Sequence, residues 1–171
     1  GVCPLVCERG DPVELRRRRV QDFFEGGALD PECNIQFGEG GAGTFSDGKL
    51  TSGISDPRSM GVLRDLAVAG APESILWDAK PHIGTDRLPD AVAGLRRAIE
   101  ALGGTFLYRA RFERLILRAG RVEGAVIDHA GARAELPASA VLLAPGHSAR
   151  DTFEALLLQG AAIVQKPFSA G

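Results

Sequence analysis

Gly38-Glu39-Gly40-Gly41-Ala42-Gly43-Thr44-Phe45-Ser46-Asp47-Gly48-Lys49-Leu50-Thr51 places glycine at five of its first eleven positions. So many glycines cost too much backbone entropy for the interior of a helix or strand. They suit a loop whose main-chain N–H groups come close to a ligand, above all an anionic one. Two familiar patterns overlap here. Gly38, Gly40 and Gly43 have the spacing of a dinucleotide fingerprint, and Gly43, Gly48 and Lys49 match most of a P-loop. Neither has its required context. A fingerprint comes after a hydrophobic strand and opens a helix, whereas Gly48, Gly53 and Pro57 interrupt any helix over the residues beyond this loop. A P-loop carries Ser or Thr directly after its lysine, and this chain has Leu50 there. The stretch reads as a ligand-facing loop of another kind, with a purely structural loop as the bland alternative.

Composition narrows the class. With 171 residues, 44% of them hydrophobic, the chain is long enough for one domain with a real core. A net charge of -2 gives no reason to expect nucleic acid or an anionic membrane as partner. Cys3, Cys7 and Cys33 form no C-x-x-C and have no histidine at zinc spacing. They read as reduced thiols of a cytoplasmic protein without a metal site, with Cys3 and Cys7 in or beside a buried strand. There is no apolar run of membrane-spanning length and no signal peptide. A start at Gly1 and an end inside a strand-like run suggest the middle fragment of a larger protein.

Patterning outward from the loop is α/β. Residues 2–7 form an apolar run with the profile of a buried strand. Asp11 is a natural N-cap with Pro12 at the first helical position, and the helix extends to about Phe24. Further helices are expected over residues 59–68, and from 86 or 89 to 102 with Val92, Leu95, Ile99 and Leu102 inward. Residues 74–77 are ambiguous. Strands are expected at 105–108, 112–117, 122–127 and 132–136, so that an antiparallel meander occupies residues 105–136. Strands at 140–144 and 161–164 flank a helix over 149–158 capped by Ser148.

In dinucleotide folds an acidic residue ending the second strand accepts hydrogen bonds from the adenosine ribose. Glu8, after Pro4-Leu5-Val6-Cys7, fits that place, and a solvated strand-end carboxylate fits it equally. In the first case the matching fingerprint belongs about 20 residues upstream and is missing from this chain.

The segments Leu5-Val6-Cys7-Glu8-Arg9-Gly10, Phe37 through Leu50, Lys80-Pro81-His82-Ile83-Gly84-Thr85-Asp86 and Gly146-His147-Ser148-Ala149-Arg150-Asp151 occur in that order over nearly the whole chain. Together they resemble the bacterial FAD-dependent family of NAD(FAD)-utilising dehydrogenases. The resemblance implies a glutathione-reductase-like, Rossmann-like FAD-binding domain, of which residues 1–171 are the middle part. It implies that Glu8, with Arg9 beside it, holds the adenosine ribose, and that Phe112 in Arg111-Phe112-Glu113 lies at the adenine. Ala144, Pro145, Gly146 and His147 correspond to the turn closing the FAD domain, with Pro145 departing from the usual residue. Gly40, Gly41, Ala42, Gly43, Thr44, Phe45, Ser46, Asp47, Gly48 and Lys49 would approach the pyrophosphate or isoalloxazine. Lys49 would place its charge near the N1–C2 edge of the flavin.

Several residues keep two readings. His82 either orients substrate and shuttles a proton or is a hydrogen-bonded turn residue. Asp86 is expected to cap the following helix, and His129 to be exposed in a hairpin turn. Gly146-x-Ser148-x-Arg150 lacks the last glycine of a nucleophile elbow. Arg16-Arg17-Arg18-Arg19 covers all sides of a helix, so most of the run faces solvent and at least one member must approach the core.

The expected activity is FAD-dependent oxidoreduction of a small-molecule substrate, with NAD(P)H as electron donor. The alternative from another class is a non-catalytic flavin- or nucleotide-binding module linked to RNA modification. A phosphotransferase using Lys49 is a third possibility, opposed by Leu50.

Overall fold

The computed structural model describes residues 2–51 and 56–166. It divides into two units, Gly1–Ala110 and Arg111–Gly171. The first contains strand β1 (Leu5–Cys7), helices α1 (Val13–Phe24), α2 (Ser59–Val68) and α3 (Leu88–Ala101), and strand β2 (Thr105–Leu107). Short 3-10 helices occupy Ala42–Phe45 and Glu73–Leu76.

β1 and β2 pair in parallel, with Leu5 opposite Thr105 and Cys7 opposite Leu107. Parallel neighbours need a long crossover, and α1 to α3 supply it. The first strand expected in the meander therefore belongs to β1 instead. Gly103 and Gly104 end α3 and turn the chain onto the edge of β1, where Thr105 N–H donates to Pro4 O. β1 is less covered than its sequence suggests: Leu5 is 47% exposed and Cys7 is exposed, with Val6 on the half-covered face. Of the three cysteines, Cys33 is the buried one.

The helices fall where expected, but their caps do not. α1 starts at Val13, and its first N–H is taken by the Glu39 carboxylate at 2.7 Å rather than by Asp11. α3 starts at Leu88 with Arg87 in the cap position and no side-chain cap, so Asp86 does not cap it. α4 (Arg150–Leu158) starts one residue later than expected, which leaves Ser148 one place too early to cap it.

α3 buries Leu88, Pro89, Ala91, Ala93 and Gly94, while Val92, Leu95 and Ile99 are half-buried and Leu102 is 83% exposed. The inward face is thus rotated from the one expected. Gly94 explains the shift: a Cβ there would lie 1.9 Å from Ala69 O, so only glycine lets α2 and α3 approach this closely. Around that contact Ala71, Ile75, Ile83, Leu88 and Ala91 form a core, with Leu50 and Leu66 packed against it.

The second unit is built on a meander of β3 (Ala110–Arg118), β4 (Arg121–His129) and β5 (Ala132–Pro137), ordered β3-β4-β5. Ala119-Gly120 and Ala130-Gly131 carry positive φ at both positions, the conformation of tight hairpin turns. His129 faces Ala132 beside the second turn and is exposed, as expected. Gln159, just past α4, uses its amide like a strand backbone: it accepts from Leu115 N–H at 2.8 Å and donates to Leu115 O at 2.9 Å. Residues 140–144 and 161–164 form no strand. An apolar run becomes a strand only by pairing with a hydrogen-bonding neighbour, and neither run pairs with a described strand. Among the described residues no helix is long and apolar enough to cross a membrane.

Candidate functional site

The glycine-rich stretch is assembled around one side chain. Arg16, fully buried on α1, sends Nε to Asn34 O at 3.0 Å and Nη2 to Ile35 O at 2.9 Å. Its Nη1 is shared among Gly38 O, Glu39 O and Gly41 O at 2.7–3.1 Å. The guanidinium also stacks over the Phe45 ring, 4.8 Å from its centroid. Burial draws the Arg16 pKa down, yet an arginine starts so far above neutrality that it stays charged. The planar fork with five donors suits a cage of carbonyls that a lysine could not fill. One arginine of the run therefore approaches the core, as the helix geometry requires, while Arg17, Arg18 and Arg19 are exposed.

Within the loop, Thr44 is buried and its hydroxyl donates to Glu39 O at 3.3 Å. Ser46 Oγ donates to Gly43 O at 2.7 Å and accepts from Gly48 N–H at 3.1 Å. These two hydroxyls shape the loop itself. Gly41 and Gly43, by contrast, have nothing within 4 Å of the position a Cβ would take.

Glu8 follows β1 at the carboxyl end of the parallel pair. Its Oε1 accepts from Gly10 N–H at 2.8 Å and from Gly38 N–H at 3.0 Å, tying the strand end to the start of the loop. Arg9 lies over the Phe37 ring at 4.3 Å and 3.8 Å from Glu32.

Two ion networks hold this frame. Arg109 donates to both oxygens of Asp11 at 2.6 Å and to Asp30 at 2.9 Å, and Arg19 also bonds Asp11. Arg96 bridges Glu14 and Glu39 and reaches the Tyr108 hydroxyl at 3.3 Å. Burial works against the Asp11 carboxylate, and the bonds from Arg109 and Arg19 outweigh it, so its pKa falls. Asp30 is held down by Arg109 against the same opposition. A depressed carboxylate adds stability above its unfolded pKa and loses it as pH falls through the folded value. The melting temperature is expected to hold between pH 7 and about 5 and to fall steeply below about 4. Asp11→Asn should melt lower at pH 7, and its curve should converge on the wild-type curve in acid. Parallel curves at all pH values would show that Asp11 carries none of the acid lability.

The outgoing arm of the loop pairs antiparallel with residues 81–84. Leu50 N–H donates to Pro81 O at 2.9 Å, Ile83 N–H to Gly48 O at 3.1 Å and Gly84 N–H to Asp47 O at 3.1 Å. Lys49 and His82 stand directly opposite each other. Side chains opposite one another in such a pair leave from the same face, and both residues are exposed. Ile83 turns the other way into the core. Lys49 Nζ lies 3.1 Å from Asp47, whose pKa the lysine lowers. The structure thus brings together the two residues singled out for chemistry, 33 positions apart in sequence, as a cation beside an imidazole.

Phe112 and Ala144, Pro145, Gly146 and His147 belong to the second unit, Phe112 half-buried on β3 and Gly146 at φ 75°. Sequence reasoning missed Glu39 as the cap of α1. Its signal, a lone acid inside a glycine run, is too common to read alone. Among the described residues no group of three or more His, Cys, Asp or Glu could hold a metal ion.

No protein-family model matches the chain. Over 171 residues it is 42% identical to a protein of Clostridium beijerinckii described only as an uncharacterized protein. That alignment covers all of this chain and 31% of the relative, so the chain spans about a third of the relative's length.

Proposed function

We propose that the chain supplies the adenosine-side strand and the glycine-rich loop of a Rossmann-like FAD-binding domain in a larger oxidoreductase. The observation that carries this reading is Glu8. It sits at the carboxyl end of a parallel strand pair, where ligands of open α/β sheets bind. Its Oε1 is taken up by Gly10 and Gly38, and among the described residues its Oε2 accepts no hydrogen bond. A carboxylate oxygen left in that position suits the paired hydroxyls of a ribose. The ordered likeness to FAD-dependent dehydrogenases supports the same assignment.

When bound, FAD supplies two-electron chemistry that no side chain can. The residues of this chain bind and position. Gly41 and Gly43 leave room for close main-chain approach. Lys49 offers a positive charge to an electron-rich ring edge, and His82, directly opposite it, presents an imidazole on the same face.

Glu8→Gln separates ligand recognition from loop support. The amide oxygen can still accept from Gly10 and Gly38, but the second position becomes a donor facing hydroxyl donors. In the full-length protein the FAD dissociation constant is expected to rise roughly ten- to a hundredfold, the value of one or two lost charge-assisted bonds. Visible absorbance reads the bound flavin. A protein that takes up no flavin even after soaking with FAD would end the oxidoreductase reading. One that holds flavin but passes no electrons from NADH or NADPH would leave the binding-module alternative.

A further inference from the structure

Arg109 follows β2 with φ 53°, in the left-handed region that a residue with a side chain rarely enters. Among the described residues Ala119 and Ala130 share that conformation, and both lie in tight hairpin turns that demand it. Arg109 lies in no hairpin, since β2 before it and β3 after it belong to different sheets. Strain held outside such a turn points to a functional role for it.

The hydrogen bonds show what the conformation changes. Bonds in a parallel ladder recur at every second residue. Thr105 N–H donates to Pro4 O and Glu8 N–H to Leu107 O, each at 2.9 Å, so the regular continuation would run from Gly10 N–H to Arg109 O. The ladder breaks instead. Arg109 N–H donates to Gly10 O at 3.0 Å and Ala110 N–H to Glu8 O at 2.9 Å. Gly10 N–H, released from the sheet, donates to Glu8 Oε1 at 2.8 Å, where Gly38 N–H joins it at 3.0 Å.

The side chain of Arg109 holds its backbone in this state. Nε and Nη2 donate to the two oxygens of Asp11 at 2.6 Å, and Nη2 also donates to Asp30 at 2.9 Å. Asp11 directly follows Gly10, so the fork fastens the same turn a second time. We propose that Arg109 is the positioning residue of the Glu8 site: its left-handed backbone diverts Gly10 N–H from the sheet to Glu8 Oε1 and so leaves Oε2 to meet the ligand. Arg109 acts on the ligand only through Glu8. The identity of the ligand rests on the flavoprotein reading; the broken ladder does not.

The test is a double-variant cycle on the full-length protein, read as the FAD dissociation constant by flavin titration. Valine, branched at Cβ, is excluded from the left-handed region, so Arg109→Val should let the ladder run on. Its FAD constant is expected to rise at least about tenfold. In a Glu8→Gln background, where the free carboxylate oxygen is already gone, the same change should raise it by less than about threefold. Arg109→Asn keeps a residue that tolerates the left-handed region and loses the fork. It should melt lower than wild type while its FAD constant stays within about threefold, a separation that a merely structural role would not give. Where Arg109→Val does not fold, the Arg109→Asn constant decides alone. Equal losses from Arg109→Val with and without Glu8, or an Arg109→Asn constant raised about tenfold, would overturn the proposal and leave the flavin reading intact. A wild-type protein that takes up no flavin would overturn that reading and this one with it.

Discussion

Arg16→Ala is expected to destabilise the first unit by about 3–5 kcal/mol, the cost of breaking a buried charged network on one side. The guanidinium is shared by the carbonyls of Asn34, Ile35, Gly38, Glu39 and Gly41, and alanine removes it from all five, leaving Gly38, Glu39 and Gly41 only the bonds from Gly41 N–H, the Thr44 hydroxyl and Thr44 N–H. Arg16→Lys should recover only part of the loss. An ammonium offers three donors from one point, whereas the carbonyls are spread around a fork. Urea unfolding is the measurement, read as a shift of midpoint at constant slope. A midpoint within about 1 kcal/mol of wild type would mean that the loop is held by something other than Arg16.

The second large effect is at Gly38. Its φ of 116° is open to glycine alone, and a Cβ there would come within 2.4 Å of Arg16 Cδ. Backbone strain of about 1–3 kcal/mol and overpacking of about 1–3 kcal/mol both act against Gly38→Ala. Gly43→Ala, five residues on, is the matching control. Nothing lies within 4 Å of its Cβ position and its φ is outside the left-handed region. Its stability should stay within about 0.5 kcal/mol of wild type, while the proposed FAD site predicts a weaker flavin affinity, because a methyl group would enter the open space at Gly43. Equal melting of both variants would contradict the structural division of the loop. A Gly43→Ala protein with unchanged flavin affinity would place the ligand elsewhere.

The readable parts of this chain are the local ones. α2 and the two hairpins depend on residues within a few positions of each other, so periodicity and turn residues reveal them. The caps depend on distant partners. Asp11 looks like a cap, but Arg109, far along the chain, claims its carboxylate, and Glu39 takes over the helix end. The run Arg16 to Arg19 announces that one member must face inward. Which one is decided by the loop carbonyls, and no local pattern encodes them. Residues 140–144 have the composition of a strand but pair with no described strand. Lys49 and His82 were each visible as candidates, and only the pairing of two loops shows that they share a face.

Glu39 completes the first turn of α1, and Arg16 on that same helix completes the loop that contains Glu39. Each element supplies what the other lacks, so the loop cannot swing aside as a lid without unwinding the start of the helix. A ligand of the proposed site would therefore meet a seat that is already formed. At the proposed site its arrival would be a single diffusive encounter with no opening step before it, and differences in affinity between ligands would lie in how slowly they leave.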